Sequence, residues 1–181
     1  MKKWIIGAIV GGIISFAWQT ISWTVANFHE SAVAYTPKQK EVMDFLNTQF
    51  SEDGDFYMPS LPRESSQEQF QALMDESKGK PWAKVSYHKS YDMNMGANII
   101  KGLLSCIVCA ALLIWIFSKM QNPSFGTIVL SSIFIGLIGF STFALSTHIW
   151  YDSRDIGASF ADGIMMWGLC GAWLGWWLRR K

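Results

Sequence analysis

Charge is scarce in this 181-residue chain, and neither sign prevails. Fifteen basic residues stand against fourteen acidic ones, and charged residues make up only 16% of the sequence. A formal net charge of +1 with no basic stripe removes the electrostatic basis for nucleic-acid binding. Cysteine is equally thin. Cys106, Cys109 and Cys170 all fall inside apolar runs, so no disulfide framework can staple the polar part of the chain. A phosphate-cradling glycine loop, a nucleophile elbow and an HExxH pair are all missing. With no complete catalytic constellation, the expectation leans away from an enzyme.

What is plentiful is apolar and aromatic. Half the residues are hydrophobic, with ten Trp, twelve Phe and nine Met. Such a composition fits a membrane protein better than a soluble one. Four apolar runs stand out: Trp4 to Asn27, Ala97 to Ser118, Phe125 to about Trp150, and Ile156 to Leu178. Each meets the ~20 residues a helix needs to cross the hydrocarbon core. None alternates with period two, which argues against barrel strands. Lys2, Lys3 and an "AVA" at 32–34 imitate a signal peptide. The first run, however, exceeds the roughly 7–15 residues of a signal h-region and reads as a retained helix.

The fold expectation is therefore an all-α membrane protein. Transmembrane helix 1 lies within 1–29, a small α+β extracytoplasmic cap covers 30–95, and helices 2–4 fill 96–181 at about 97–118, 125–150 and 156–178. Basic residues set the orientation. Lys2, Lys3, Lys119, Arg179, Arg180 and Lys181 share one side, while "YDSRDIG" on the other holds a single Arg. The positive-inside rule places both termini in the cytoplasm. All fourteen acidic residues lie from Glu30 to Asp162, on the outer side or in the outer part of helix 4. Trp4, Trp115, Trp173, Trp176 and Trp177 mark the inner interface, and Trp150 and Tyr151 the outer one.

Residues 30–95 are too long and too patterned for a plain loop. Thr36 and Pro37 suggest a helix start, with Val42, Phe45, Leu46 and Phe50 as its stripe. "DFYMPSLP" and "WAKVSYH" read as short strands. Between them Ser65 and Glu68 have capping-box spacing, and Gly79 closes a second helix.

Three polar sets recur at i, i+4, i+7: Thr20, Thr24 and Asn27; Asn94, Asn98 and Lys101; Asp155, Ser159 and Asp162. Ser141 and His148 add a pair on helix 3. All fall in the outer half of the expected bundle. Lys101 and Asp162 sit roughly 6–9 Å below the ends of their helices, at ~1.5 Å per residue. An intramembrane charge is costly and faces the bundle interior or water, with a partner. The spacing thus predicts a polar pocket of Asp162, Lys101, His148, Asn98, Ser159 and Asn27, with Asp162 in reach of Lys101 or His148.

His29, His88 and His148 all end or precede helices on the outer side, and carboxylates come soon after each. Histidine with carboxylate suits zinc, and histidine with methionine suits copper. The candidate metal ligands are His29, His88, His148 and Asp92. They come from separate segments without metal-binding spacing, so no cofactor is expected and zinc or copper is the alternative. "CIVC" at 106–109 lies near mid-membrane, where thiols are inert packing groups. Gly7 with Gly11, and Gly171 with Gly175, form G-x-x-x-G pairs that favour close helix packing, in the bundle or against a second copy.

The stretches "GKPWAKVSYHKSYDMNMG", "HIWYD" and "WGLCGAWLGWWLRRK" resemble those of small four-helix bacterial inner-membrane proteins of no characterised family. The resemblance covers about a quarter of the chain. It implies the four-helix layout and a bacterial inner membrane, and carries no activity or site residue. The functional expectation is an integral inner-membrane accessory or interaction component with a polar pocket in its outer half. The alternative is a carrier or binding protein for a small ion, metal or solute. The expected partners are the lipid bilayer and another membrane protein or a second copy, with no nucleic acid.

Overall fold

A computed structural model describes residues 2–180, so Lys181 of the basic end lies outside the described residues. In chain order the elements are α1 (Lys2–Thr20), a π turn (Ile21–Val25), a 3-10 turn (Glu30–Ala32), α2 (Gln39–Gln49), β1 (Gly54–Met58), α3 (Gln67–Ser77) and β2 (Ala83–Tyr87). They continue with α4 (Met95–Ser118), α5 (Phe125–Phe140), a second π turn (Ser141–Leu145), α6 (Ser146–Tyr151) and α7 (Ile156–Arg179). The chain divides into two compact units. One combines residues up to Ala34 with those from Asn94 onward, and the other is Tyr35–Met93.

In the first unit the segments Lys2–Val25, Met95–Ser118 and Phe125–Tyr151 are long and apolar enough to cross a membrane. The fourth expected span coincides with the helix α7, which equals α4 in length but is not among the helices apolar enough to cross a membrane. Its Asp162 and its many glycines and tryptophans dilute its apolar character. Large side chains such as Leu104, Val108, Leu112 and Trp115 of α4, and Leu130, Phe134 and Ile138 of α5, stay exposed. A helix apolar on several faces suits a lipid environment.

α1 packs against both α4 and α7, and α7 packs against α5. α4 and α5, consecutive in the chain, do not pack along their lengths. The core lies in the half nearer the termini: Ala8, Ala110, Leu113, Ile114, Phe117, Ile128, Cys170 and Leu174. Glycine allows the close crossings. A Cβ on Gly136 would lie 2.1 Å from the Gly163 carbonyl oxygen, and one on Gly12 would lie 2.6 Å from the Ile107 Cα. The two G-x-x-x-G pairs serve the same packing: Gly7 and Gly11 meet Trp177, Ala110 and Cys170, and Gly171 and Gly175 meet Ser132 and Phe125. Indole donors fasten the two terminal helices, Trp173 Nε1 to the Gly7 carbonyl at 3.1 Å and Trp177 Nε1 to the Lys3 carbonyl at 2.7 Å.

The second unit has the expected helix–strand–helix–strand order. β1 and β2 pair antiparallel with Phe56 opposite Val85. Phe50 stacks on Phe56 at 3.9 Å between ring centres and lies 5.3 Å from Tyr87. The Tyr87 hydroxyl donates to Asn47. Two boundaries differ from the sequence reading. The capping box uses Ser66 and Gln69 rather than Ser65 and Glu68, an equal spacing one residue later. α2 starts at Gln39, because Thr36 accepts from the Lys38 amide in a turn instead of capping the helix. Gly79 adopts the left-handed conformation expected of a helix stop, at φ 76°.

Candidate functional site

α1 ends in a way that changes which residues share a face. After Thr20 the backbone widens into the π turn, with Ala26 N donating to the Ile21 carbonyl and Phe28 N to the Ser22 carbonyl. Asn27 then takes a left-handed φ of 56°, a conformation asparagine tolerates better than most residues. The chain folds back, and His29 comes to the same carboxylate as Ser22. Single π turns inside helices often accompany functional sites.

That carboxylate is Asp162. Its Oδ1 accepts from Ser22 Oγ at 2.7 Å and from Trp18 Nε1 at 2.9 Å. Its Oδ2 lies 3.0 Å from His29 Nε2. The other ring nitrogen, Nδ1, lies 2.7 Å from Asp155 Oδ2, two helical turns earlier in the chain, at the start of α7. A ring with both nitrogens facing carboxylate oxygens can donate twice only as imidazolium. Trp23 lies flat on it, 4.0 Å away with 4° between the planes, where a cation over an indole face is favoured. The His29 side chain is 4% exposed, against 16% for Asp162 and 18% for Asp155. Burial opposes protonation of His29, but hydrogen bonds and charge from Asp155 and Asp162 outweigh it and hold the imidazole above its ordinary value. With its ring protonated, His29 would place one positive charge between two carboxylates.

Beside this cluster opens a cleft of about 260 Å³, lined by Gln19, Trp23, His29, Phe140, Ser159 and Asp162 among others. Gly139 of α5 faces it with nothing within 4 Å of its Cβ position. The cleft therefore offers carboxylate, hydroxyl and amide oxygens against aromatic walls. Such a lining suits a small cationic or hydrogen-bonding group.

The structure sorts the residues singled out from sequence. Asp162 and Ser159 belong to the cleft. Asp162 finds His29, not Lys101 or His148. Lys101 and Asn98 are exposed, and among the described residues no salt bridge involves Lys101. His148 bonds the Ser153 carbonyl at 2.8 Å and so shapes the α6–α7 connection. Asn27 is exposed and acts through its backbone. The Thr20–Thr24 face turns outward, each hydroxyl bonding the carbonyl four residues back, at 3.0 and 2.6 Å. Of the metal candidates, His29 has both nitrogens committed to carboxylates. His88 lies 3.5 Å from Asp53, and the Ser90 hydroxyl donates to Asp92. Among the described residues no three His, Cys, Asp or Glu side chains are placed to hold a metal ion.

Trp18, Ser22 and Trp23 are site residues that the sequence reading misses, and His29 enters it only as a metal ligand. A usable signal is the stripe of small residues Gly7, Gly11, Ser15 and Ser22, all buried, which marks the packed face of the first span. Cys106 donates to Gln19 Oε1 at 3.5 Å, and Cys170 is fully buried, consistent with packing roles. No protein-family model, curated protein or solved structure matches this chain.

Proposed function

We propose that the chain is a four-helix bacterial inner-membrane protein with cytoplasmic termini and residues 30–95 outside. In this reading it is an accessory component that holds a small cationic solute in its outer-half pocket. The observation that carries the reading is the hydrogen-bonded cluster of Ser22, Asp162, His29 and Asp155, of which His29 and Asp162 line the cleft. A site with two carboxylates about one imidazole and with indole and phenyl walls favours a cation over an anion or a neutral solute. Holding is favoured over carrying because the layer below the cleft is tightly packed and without buried charge among the described residues. Leu113, Ile114, Ile128, Leu174 and Cys170 are each no more than 2% exposed there. α7 counts as a span in this reading because it matches α4 in length and pairs its one buried carboxylate face with α1. Such pairing lowers the cost of an intramembrane acid.

The test is thermal stability of the purified full chain in detergent with sodium, potassium, methylammonium, ethanolamine or choline chloride at constant ionic strength. At least one cation should raise the melting midpoint saturably, and Asp162→Asn should abolish the rise. Equal midpoints in all five salts, or a rise that survives Asp162→Asn, would remove the reading.

A further inference from the structure

A second cavity lies at the opposite end of the helical unit, and the pocket above does not use it. It measures about 630 Å³ and opens between α4 and α5, beside the ends of α1 and α7. Its position comes from the packing. α1 and α7 are fastened to each other at this end through Trp177 and the Lys3 carbonyl, while α4 and α5 diverge from their short connection. The wedge between them has walls of Phe117, Ile128 and Leu178 and a rim of Ser118, Asn122 and Arg179.

The chemistry of this wedge is two-sided. Its inner walls are apolar, its rim carries a guanidinium, a carboxamide and a hydroxyl, and among the described residues no carboxylate lines it. No acidic residue occurs before Glu30, between Gly96 and Tyr151, or after Asp162, so among the described residues no acidic side chain in these helix ends neutralises the basic charges. Lys119 and Arg180 are each drawn over an indole, at 5.3 Å from Trp115 and 3.9 Å from Trp176. Arg179 is the basic residue that lines the wedge. Tryptophans at this level also mark a membrane interface.

We infer that the α4–α5 wedge binds an anionic glycerophospholipid, with its phosphate at Arg179 and Asn122 and its acyl chains along Trp4 and Leu178. Charge complementarity decides the occupant. Basic pockets between membrane helices favour anionic headgroups, and the apolar depth of the wedge gives a free anion nothing to gain. The inference rests on the helical unit alone and stands whether or not the Asp162 pocket binds a cation.

Native mass spectrometry of the full chain tests it, by comparing retention of phosphatidylglycerol and phosphatidylcholine with identical acyl chains during delipidation. The wild type should retain phosphatidylglycerol roughly fivefold more, the preference expected of one basic side chain. Arg179→Gln should bring the ratio close to one, and Arg180→Gln should leave it unchanged. Ser118→Trp, which fills the rim, should lower phosphatidylglycerol retention without altering the lipid-free melting midpoint. A wild-type ratio near one overturns the inference, and so does an unchanged ratio in Arg179→Gln. If Arg179→Gln does not fold, undiminished retention in Ser118→Trp overturns it. Displacement of the lipid by inorganic phosphate alone would mean a free-anion site and would overturn it as well.

Discussion

His29 and Asp162 meet at 3.0 Å although 133 positions separate them in the chain. The contact ties the chain just beyond the first long helix to the second turn of α7. It gives the buried imidazole a second carboxylate beside Asp155.

Removing either partner should therefore cost stability. Asp162→Asn leaves the imidazolium with Asp155 alone and should destabilise the protein by about 2 kcal/mol, less than the ~3–5 kcal/mol for breaking a wholly buried pair. His29→Gln should cost a similar amount, because it leaves two carboxylates facing each other. The double variant should recover about 1 kcal/mol relative to the sum, measured as melting midpoints in detergent. Strictly additive losses would mean that the two side chains do not interact.

The same cluster sets a pH dependence. His29 binds its proton more tightly folded than unfolded, so its contribution is complete below the ordinary value of 6.5. It falls as pH rises from there through the raised folded value. Stability of the wild type should decline across that interval, and His29→Gln should flatten the decline. A profile of the same slope in both proteins would assign the titration elsewhere.

Two glycines of α5 separate close packing from open space. Gly136→Ala must push α5 away from the Gly163 carbonyl and should destabilise by about 1–3 kcal/mol. Gly139→Ala has no neighbour within 4 Å of the new methyl. It should be neutral or gain up to ~1 kcal/mol from helix propensity. Melting midpoints of the two variants decide, and equal losses would contradict the crossing described for α5 and α7.

Topology can be checked in intact cells. Cysteines introduced at Ser51 and Ser65 should react with a membrane-impermeant maleimide, above the background of the three native thiols. A cysteine appended after Lys181 should react only after lysis. The reverse pattern would invert the proposed orientation.

The long helices and the small α+β unit are legible because composition and 3.6-residue periodicity report them directly. Asp162 is legible because a lone acid in an apolar run stands out. Its partner is not. Periodicity carried along the first run assigns Thr20, Thr24 and Asn27 to one inward face. The π turn at Ile21–Val25 adds a residue to the turn, and each extra residue rotates the downstream chain by about 100°. Thr20 precedes the π turn and is already exposed; the rotation acts on the residues after it and, with the reversal at Asn27, brings His29 inward. The second π turn, at Ser141–Leu145, separates Ser141 from His148 in the same manner. Ser65 and Ser66 illustrate a finer limit. Each has a glutamate or glutamine three residues on, and only the built turn distinguishes them.

The packed half around Leu113, Ile128 and Leu174 separates the cluster from the chain termini. In a bilayer, voltage drops across the part of a protein that water does not enter. In the proposed membrane setting that part would be this apolar layer, so a proton on His29 would cross little of the field when it came or went. Its occupancy would then follow the acidity at its own end of the helices rather than an electrical potential across the membrane.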